Sequence, residues 1–88
     1  MDEIEGWRKR IDEIDTQFLE LLNERAKCAM AIGKIKMARG LKIHSPEREK
    51  AILARIRERN KGPLENSAVE RIFEHIIEEN RRIEIIAV

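Results

Sequence analysis

Two cations interrupt what is otherwise an apolar stripe. Arg25 falls between Leu21 and Cys28 in a row of apolar residues, and Lys36 follows eleven positions later. On a helix that spacing is about 20° of rotation, so the two project from one face. A buried cation without a partner is costly, so each needs an anion, unless it forms an internal ion pair or snorkels to water. Polar residues interrupt apolar faces elsewhere too. Glu49 precedes Ile52 and Leu53 by three and four, with Arg48 beside it, and Asn80 stands in line with Phe73, Ile76 and Ile77, one turn before Glu84. This pattern predicts a polar, closed pocket between helices, where bundles build ligand sites. Several fixed cations suit a ligand with more than one carboxylate or phosphate. The chain has no Gly-rich phosphate loop, no metal-ligand spacing and no Ser-His-Asp or Cys-His arrangement. His44 and His75 read as loop and surface residues. The expected chemistry is electrostatic, with no metal, no cofactor and no nucleophile.

Three helical segments must position these residues. The first runs from about Glu3 to Arg39 without proline, and Ile4, Trp7, Ile11, Ile14, Phe18, Leu21, Arg25, Cys28, Ile32 and Ile35 recur at alternating steps of three and four. That is a heptad seam. Beside it lies a second row of Leu19, Leu22, Ala26, Ala29, Gly33 and Lys36. Gly40 supplies the stop, and Lys36 and Arg39 suit the negative end of the helix dipole. The second segment opens at Ser45-Pro46, an N-cap followed by proline at the first helical position, and ends near Asn60-Lys61-Gly62-Pro63. The third runs from about Glu65 to Ile86, with Val69, Ile72, Phe73, Ile76, Ile77, Asn80 and Ile83 on one face. The fold class is all-α, three helices with a very long first one, and residues 1–88 form a single domain.

The first helix is roughly 55 Å long. A compact chain of this size is only about 30 Å across. The apolar stripe continues through the overshoot, so something must cover it, and the economical cover is a second copy, giving a two-fold symmetric helical homodimer. Arg8 lies 28 residues before Lys36, on the same face and roughly 42 Å away along the axis. One chain cannot bring both to one small ligand. Antiparallel long helices in a dimer would bring Arg8 of one copy towards Arg25 and Lys36 of the other.

Composition excludes several classes. The 88 residues are 42% hydrophobic and 40% charged, apolar enough to fold. A net charge of +1 gives no pull towards nucleic acid or acidic membranes, and the basic groups at Arg8-Lys9-Arg10 and Arg55, Arg57 and Arg59 read as solvated faces. Cys28 is the only cysteine, which excludes an internal disulfide and reads as a small packing residue. Met1–Arg10 is too charged for a signal peptide, and no apolar run approaches the roughly 20 residues that span a bilayer. A soluble, cytoplasmic protein is expected, with no nucleic-acid or membrane partner.

At these residues the sequence resembles the all-helical AroQ class of chorismate mutase. The resemblance rests on Arg8-x-x-Ile11-x-x-Ile14-Asp15, then Leu21-Leu22-Asn23-Glu24-Arg25, Ile32-Gly33-Lys34-Ile35-Lys36, Pro46-Glu47-Arg48-Glu49 and Ile76-Ile77-Glu78. The ordered set covers nearly the whole chain. It implies an intertwined helical homodimer with two shared sites, rearranging chorismate, a small dicarboxylate, to prephenate in aromatic amino-acid biosynthesis by a [3,3] (Claisen) step. Arg25 and the other copy's Arg8 would clamp carboxylates. Lys36 would contact a carboxylate and the ether oxygen whose bond breaks. Arg48 would support the anionic side, Glu49 would accept a hydrogen bond from the ring hydroxyl, and Glu84 falls where the family has Gln or Glu facing the ether oxygen. Ser45 stands where relatives often have Asp, and Asn80 where some have Ser. Ser45 is expected to act through backbone and cap geometry, and Asn80 to donate to a carboxylate. Such a domain stands alone or forms the N-terminal part of a longer pathway enzyme, and the apolar ending Ile85-Ile86-Ala87-Val88 fits a boundary within a longer protein. The alternative is a non-catalytic helical dimerisation module, which explains the long stripe but not the polar residues that interrupt it.

Overall fold

Three helices and two connections make up the computed structural model, which describes residues 2–87; Met1 and Val88 lie outside the described residues. Helix α1 spans Glu3–Ala38, α2 spans Pro46–Arg59 and α3 spans Asn66–Ala87. The boundaries expected from sequence hold to within a residue or so. Each end has a local cause.

At the start of α1 the Asp2 carboxylate accepts from the Ile4 amide at 3.2 Å, and Glu3 and Glu5 place negative charge in the first turn. At its end Gly40 takes φ +66, where a side chain is strained. The Gly40 amide then reaches the Met37 carbonyl at 3.1 Å and the Leu41 amide the Lys36 carbonyl at 2.8 Å, a Schellman closure. Ser45 is the N-cap of α2 by position, and Pro46 opens the helix. The Ser45 hydroxyl makes no capping bond; its carbonyl accepts the Glu49 amide at 3.1 Å. Asn60 organises the second turn, donating to the Leu64 carbonyl at 2.8 Å and to Asn66 Oδ1 at 2.9 Å.

Helix α3 packs against both other helices, whereas the backbones of α1 and α2 do not approach each other closely among the described residues. The register follows from side-chain pairs. Arg25 meets Asn80 and Gly33 meets Glu84, so α1 and α3 run in the same direction. Arg57 pairs with Glu70 and Arg81 with Glu49, so α2 runs against α3. Helices α1 and α3 approach closely at Gly33, where an added Cβ would stand 3.1 Å from the Glu84 Cβ and 3.2 Å from its Cα. Ala29, Ile52 and Ile77, one from each helix, are the buried apolar residues among those described.

The helix is too long for its own chain, as its length predicts. The radius of gyration is 16.3 Å, against about 12 Å for a compact chain of this size. The longest dimension is 57 Å, essentially that of α1 alone. The early seam lies bare: Ile4, Trp7, Ile11, Ile14, Phe18 and Leu21 are all exposed, Trp7 to 73%. Ile72, expected within the apolar face of α3, is exposed as well.

Candidate active site

Because α3 holds α1 and α2 apart, a cleft opens between them with α3 as its floor. Its volume is about 390 Å³, within the range of roughly 300–1,000 Å³ usual for small-ligand sites. From α1 come Arg25 and Lys36; from Ser45 and the start of α2 come Ser45, Arg48 and Glu49; from α3 come Asn80 and Glu84. All the site residues expected from sequence are thus brought together except Arg8. Arg8 lies near the other end of α1, exposed and ion-paired with Glu5 at 2.8 Å.

The two cations in the α1 stripe have polar partners but no carboxylate among the described residues. Arg25 donates to the Asn80 Oδ1, and Lys36 Nζ donates to the Ile43 carbonyl at 2.8 Å, drawing the loop onto the end of α1. Burial pushes the Arg25 guanidinium below its ordinary range, and the charges of Arg48 and Arg55 push it the same way. The cleft therefore concentrates positive charge that the protein itself leaves uncompensated. With Asn80 Oδ1 committed to Arg25, the Asn80 amide NH2 is left to donate into the cleft.

Glu49 differs. Its Oε2 accepts from Arg81 Nη1 at 3.0 Å and lies 3.3 Å from His44 Nε2. His44 is an exposed loop residue, as expected, yet it touches a site carboxylate. No ion pair engages Glu84 among the described residues; its backbone is fixed by the Gly33 contact.

Three polar or ionisable lining residues lie outside the set expected from the sequence. Arg55 was expected on a solvated face with Arg57 and Arg59, but it lines the cleft, while Arg57 binds Glu70 through two hydrogen bonds of 2.7 and 3.0 Å. The available signal was its place seven residues after Arg48 and three after Ile52, on the same helix face. Arg81 was also unmarked, although it follows buried Ile77 by four. Cys28, expected to pack as a small apolar residue, is exposed and lines the cleft instead. In all, five cationic side chains (Arg25, Lys36, Arg48, Arg55, Arg81) face two carboxyl groups, Glu49 and Glu84. The arrangement suits a multiply charged anion.

Comparison with known proteins agrees with this chemistry. The family model described as chorismate mutase type II matches residues 7–85. The chain is 40% identical over 79 residues to a chorismate mutase of Methanocaldococcus jannaschii, covering 88% of this chain and 79% of that protein. It is 46% identical over 81 residues to a bifunctional chorismate mutase/prephenate dehydratase of Aquifex aeolicus, covering 88% of this chain. The chain spans only about a fifth of the length of such bifunctional relatives, 22% in that case. Among solved structures, a chorismate mutase of Thermus thermophilus superposes with a TM-score of 0.93 at 29% identity, covering 94% of each chain. The Helicobacter pylori chorismate mutase in complex with prephenate gives 0.88 at 27% identity, covering 96% of this chain and 91% of that one. On the family match across almost its whole length, this chain belongs to the type II chorismate mutase family.

Proposed function

We propose that the chain rearranges chorismate to prephenate, with residues 1–88 acting as one catalytic domain in a homodimer whose two sites each take residues from both copies. The observation that carries this reading is the cleft between α1 and α2, where Arg25, Lys36, Arg48 and Arg55 have no counter-carboxylate among the described residues. A dicarboxylate supplies the missing charge. The non-catalytic dimerisation module gives no reason for that gathering.

In this reading Arg25, its head set by Asn80, clamps one carboxylate, and Arg8 of the second copy clamps the other. Arg48 adds to the anionic side and Asn80 donates its amide hydrogens. Ser45, whose hydroxyl is not spent on the cap, faces the same ligand. Glu49 accepts a hydrogen bond from the ring hydroxyl through the oxygen that Arg81 leaves free. These contacts hold the enolpyruvyl arm over the ring in a near-attack geometry. The reaction is intramolecular: the ether C–O bond breaks as a C–C bond forms, with no atom gained or lost. Negative charge grows on the ether oxygen as its bond stretches. Lys36 donates to that oxygen, with the Glu84 side chain facing it, and because such interactions strengthen in the transition state they raise the rate.

Among the described residues no helix is long and apolar enough to cross a membrane. The proposed setting is the cytoplasm, as a step in aromatic amino-acid biosynthesis. The test is direct. Purified protein should deplete chorismate absorbance, and Arg25→Ala should abolish turnover while leaving the oligomer intact. An Arg25→Ala protein fully active at ordinary substrate concentrations would overturn the site.

A further inference from the structure

We infer that Arg81 is a charge-balancing and positioning residue for Glu49, making a carboxylate tolerable inside a site for a dianion. The inference rests on the activity proposed above. Three segments converge on one atom: Glu49 Oε2, on α2, accepts from Arg81 Nη1 of α3 at 3.0 Å, and His44 Nε2 of the preceding loop lies 3.3 Å from it. Arg81 and Glu49 are each only about one-third exposed, at 34% and 28%, so solvent screens the pair incompletely.

Two consequences follow. The first is geometric. With Oε2 engaged by Arg81 and flanked by His44, the carboxylate is oriented and Oε1 is the oxygen left to accept from a ligand hydroxyl. The second is electrostatic. An isolated carboxylate in this cleft would repel an incoming dianion and draw off the cations meant for it. Arg81 cancels that charge without removing the acceptor. Neither role needs Arg81 to touch the ligand. The other cations of the cleft do not substitute for it, because none of them forms an ion pair with Glu49 among the described residues; His44, the remaining neighbour, carries charge only when protonated.

The experiment compares wild type, Arg81→Met, Arg81→Lys, Glu49→Gln and the Glu49→Gln/Arg81→Met double variant in steady-state turnover of chorismate, with thermal midpoints recorded in parallel. Arg81→Met should raise KM about tenfold, a weak-pair loss in a partly exposed site, with kcat within about threefold of wild type. Arg81→Lys should restore most of the affinity, since it returns the charge. The decisive arm is the double variant. Its KM should fall back below that of Arg81→Met alone, because the unbalanced carboxylate is gone. A bond that merely ties α2 to α3 gives the opposite result: either single change already breaks it, the double variant is no better than Arg81→Met, and kcat falls with the thermal midpoint. That outcome overturns the inference, as does an Arg81→Met protein kinetically indistinguishable from an active wild type. If Arg81→Met fails to fold, Arg81→Gln replaces it in the same comparison. A wild type that turns over no chorismate removes the activity reading, and this inference falls with it.

Discussion

Arg25 has a cost that no carboxylate of the chain offsets among the described residues. Its guanidinium is pushed below its ordinary range by burial and by Arg48 and Arg55, so the folded state disfavours its charge. Because the group stays protonated at every working pH, the penalty is present throughout the accessible range and is relieved only by an anion. Arg25→Met should therefore fold with a thermal midpoint no lower than wild type while losing turnover on the order of 100-fold or more, as read by melting curves and kcat/KM together. Glu84 carries a second prediction. A carboxylate facing an ether oxygen repels it, and a carboxylic acid donates to it. Glu84→Gln, whose amide can donate, should keep or raise kcat, and Glu84→Ala should lower it; a Glu84→Ala enzyme with unchanged kcat would sink the idea. Arg25 and Lys36 were legible in the sequence because a cation inside an apolar seam contradicts its neighbours. Arg55 and Arg81 were not, because they lie at the edges of amphipathic faces, where a cation looks solvated until the rotation of α2 and α3 about the cleft is known. The 3.3 Å approach of His44 to Glu49 depends on the path of the loop after Gly40, which spacing does not encode.

At the scale of helices, Gly33 sets how closely α3 approaches α1. A Cβ there meets backbone as well as side-chain atoms of Glu84, so the flexible end of a side chain cannot absorb the clash. Gly33→Ala gains about 1 kcal/mol of helix propensity but forces the helices apart at a cost of typically 1–3 kcal/mol. The net change in stability should be small or unfavourable, and the displaced Glu84 should lower kcat more than it raises KM. The bond between α2 and α3 at Arg57 and Glu70 is sensitive to acid. Hydrogen bonds from Arg57 hold the Glu70 carboxyl below the usual carboxylate range. A depressed carboxyl stabilises the fold above its unfolded-state value, near 4.3 for Glu, and that contribution is lost as pH falls through the lower folded value. The stability difference between wild type and Arg57→Gln should be full at neutral pH and vanish in acid, as measured by denaturant titrations across that range. Helix ends were legible where each is written locally, as at Gly40 after α1 and Ser45-Pro46 before α2. What was not legible is that α3 alone joins the other two, since periodicity says which face is apolar and not which helix it meets.

For the molecule as a whole, the exposed seam is the dominant fact. Burying a large apolar side chain contributes ~1.5–3 kcal/mol, so covering Ile4, Trp7, Ile11, Ile14, Phe18 and Leu21 rivals the total stability of a small domain. Trp7→Glu should therefore shift the protein towards monomer in sedimentation and lower its melting temperature at a fixed concentration. The proposed sharing of sites makes a sharper demand. Arg8→Ala and Arg25→Ala subunits, each inactive alone, should regain activity when mixed and refolded, since each heterodimer then holds one intact site; no recovery would count against sharing. The separation of α1 from α2 has a last consequence. Among the described residues no side-chain hydrogen bond or ion pair joins α1 directly to α2, so a bound dianion would be a strut between them. It would brace the end of α1 against the start of α2 and slow amide hydrogen exchange in both at once, although they are separate helices. Substrate would then complete the architecture that reshapes it, and product release would mean briefly taking that strut away.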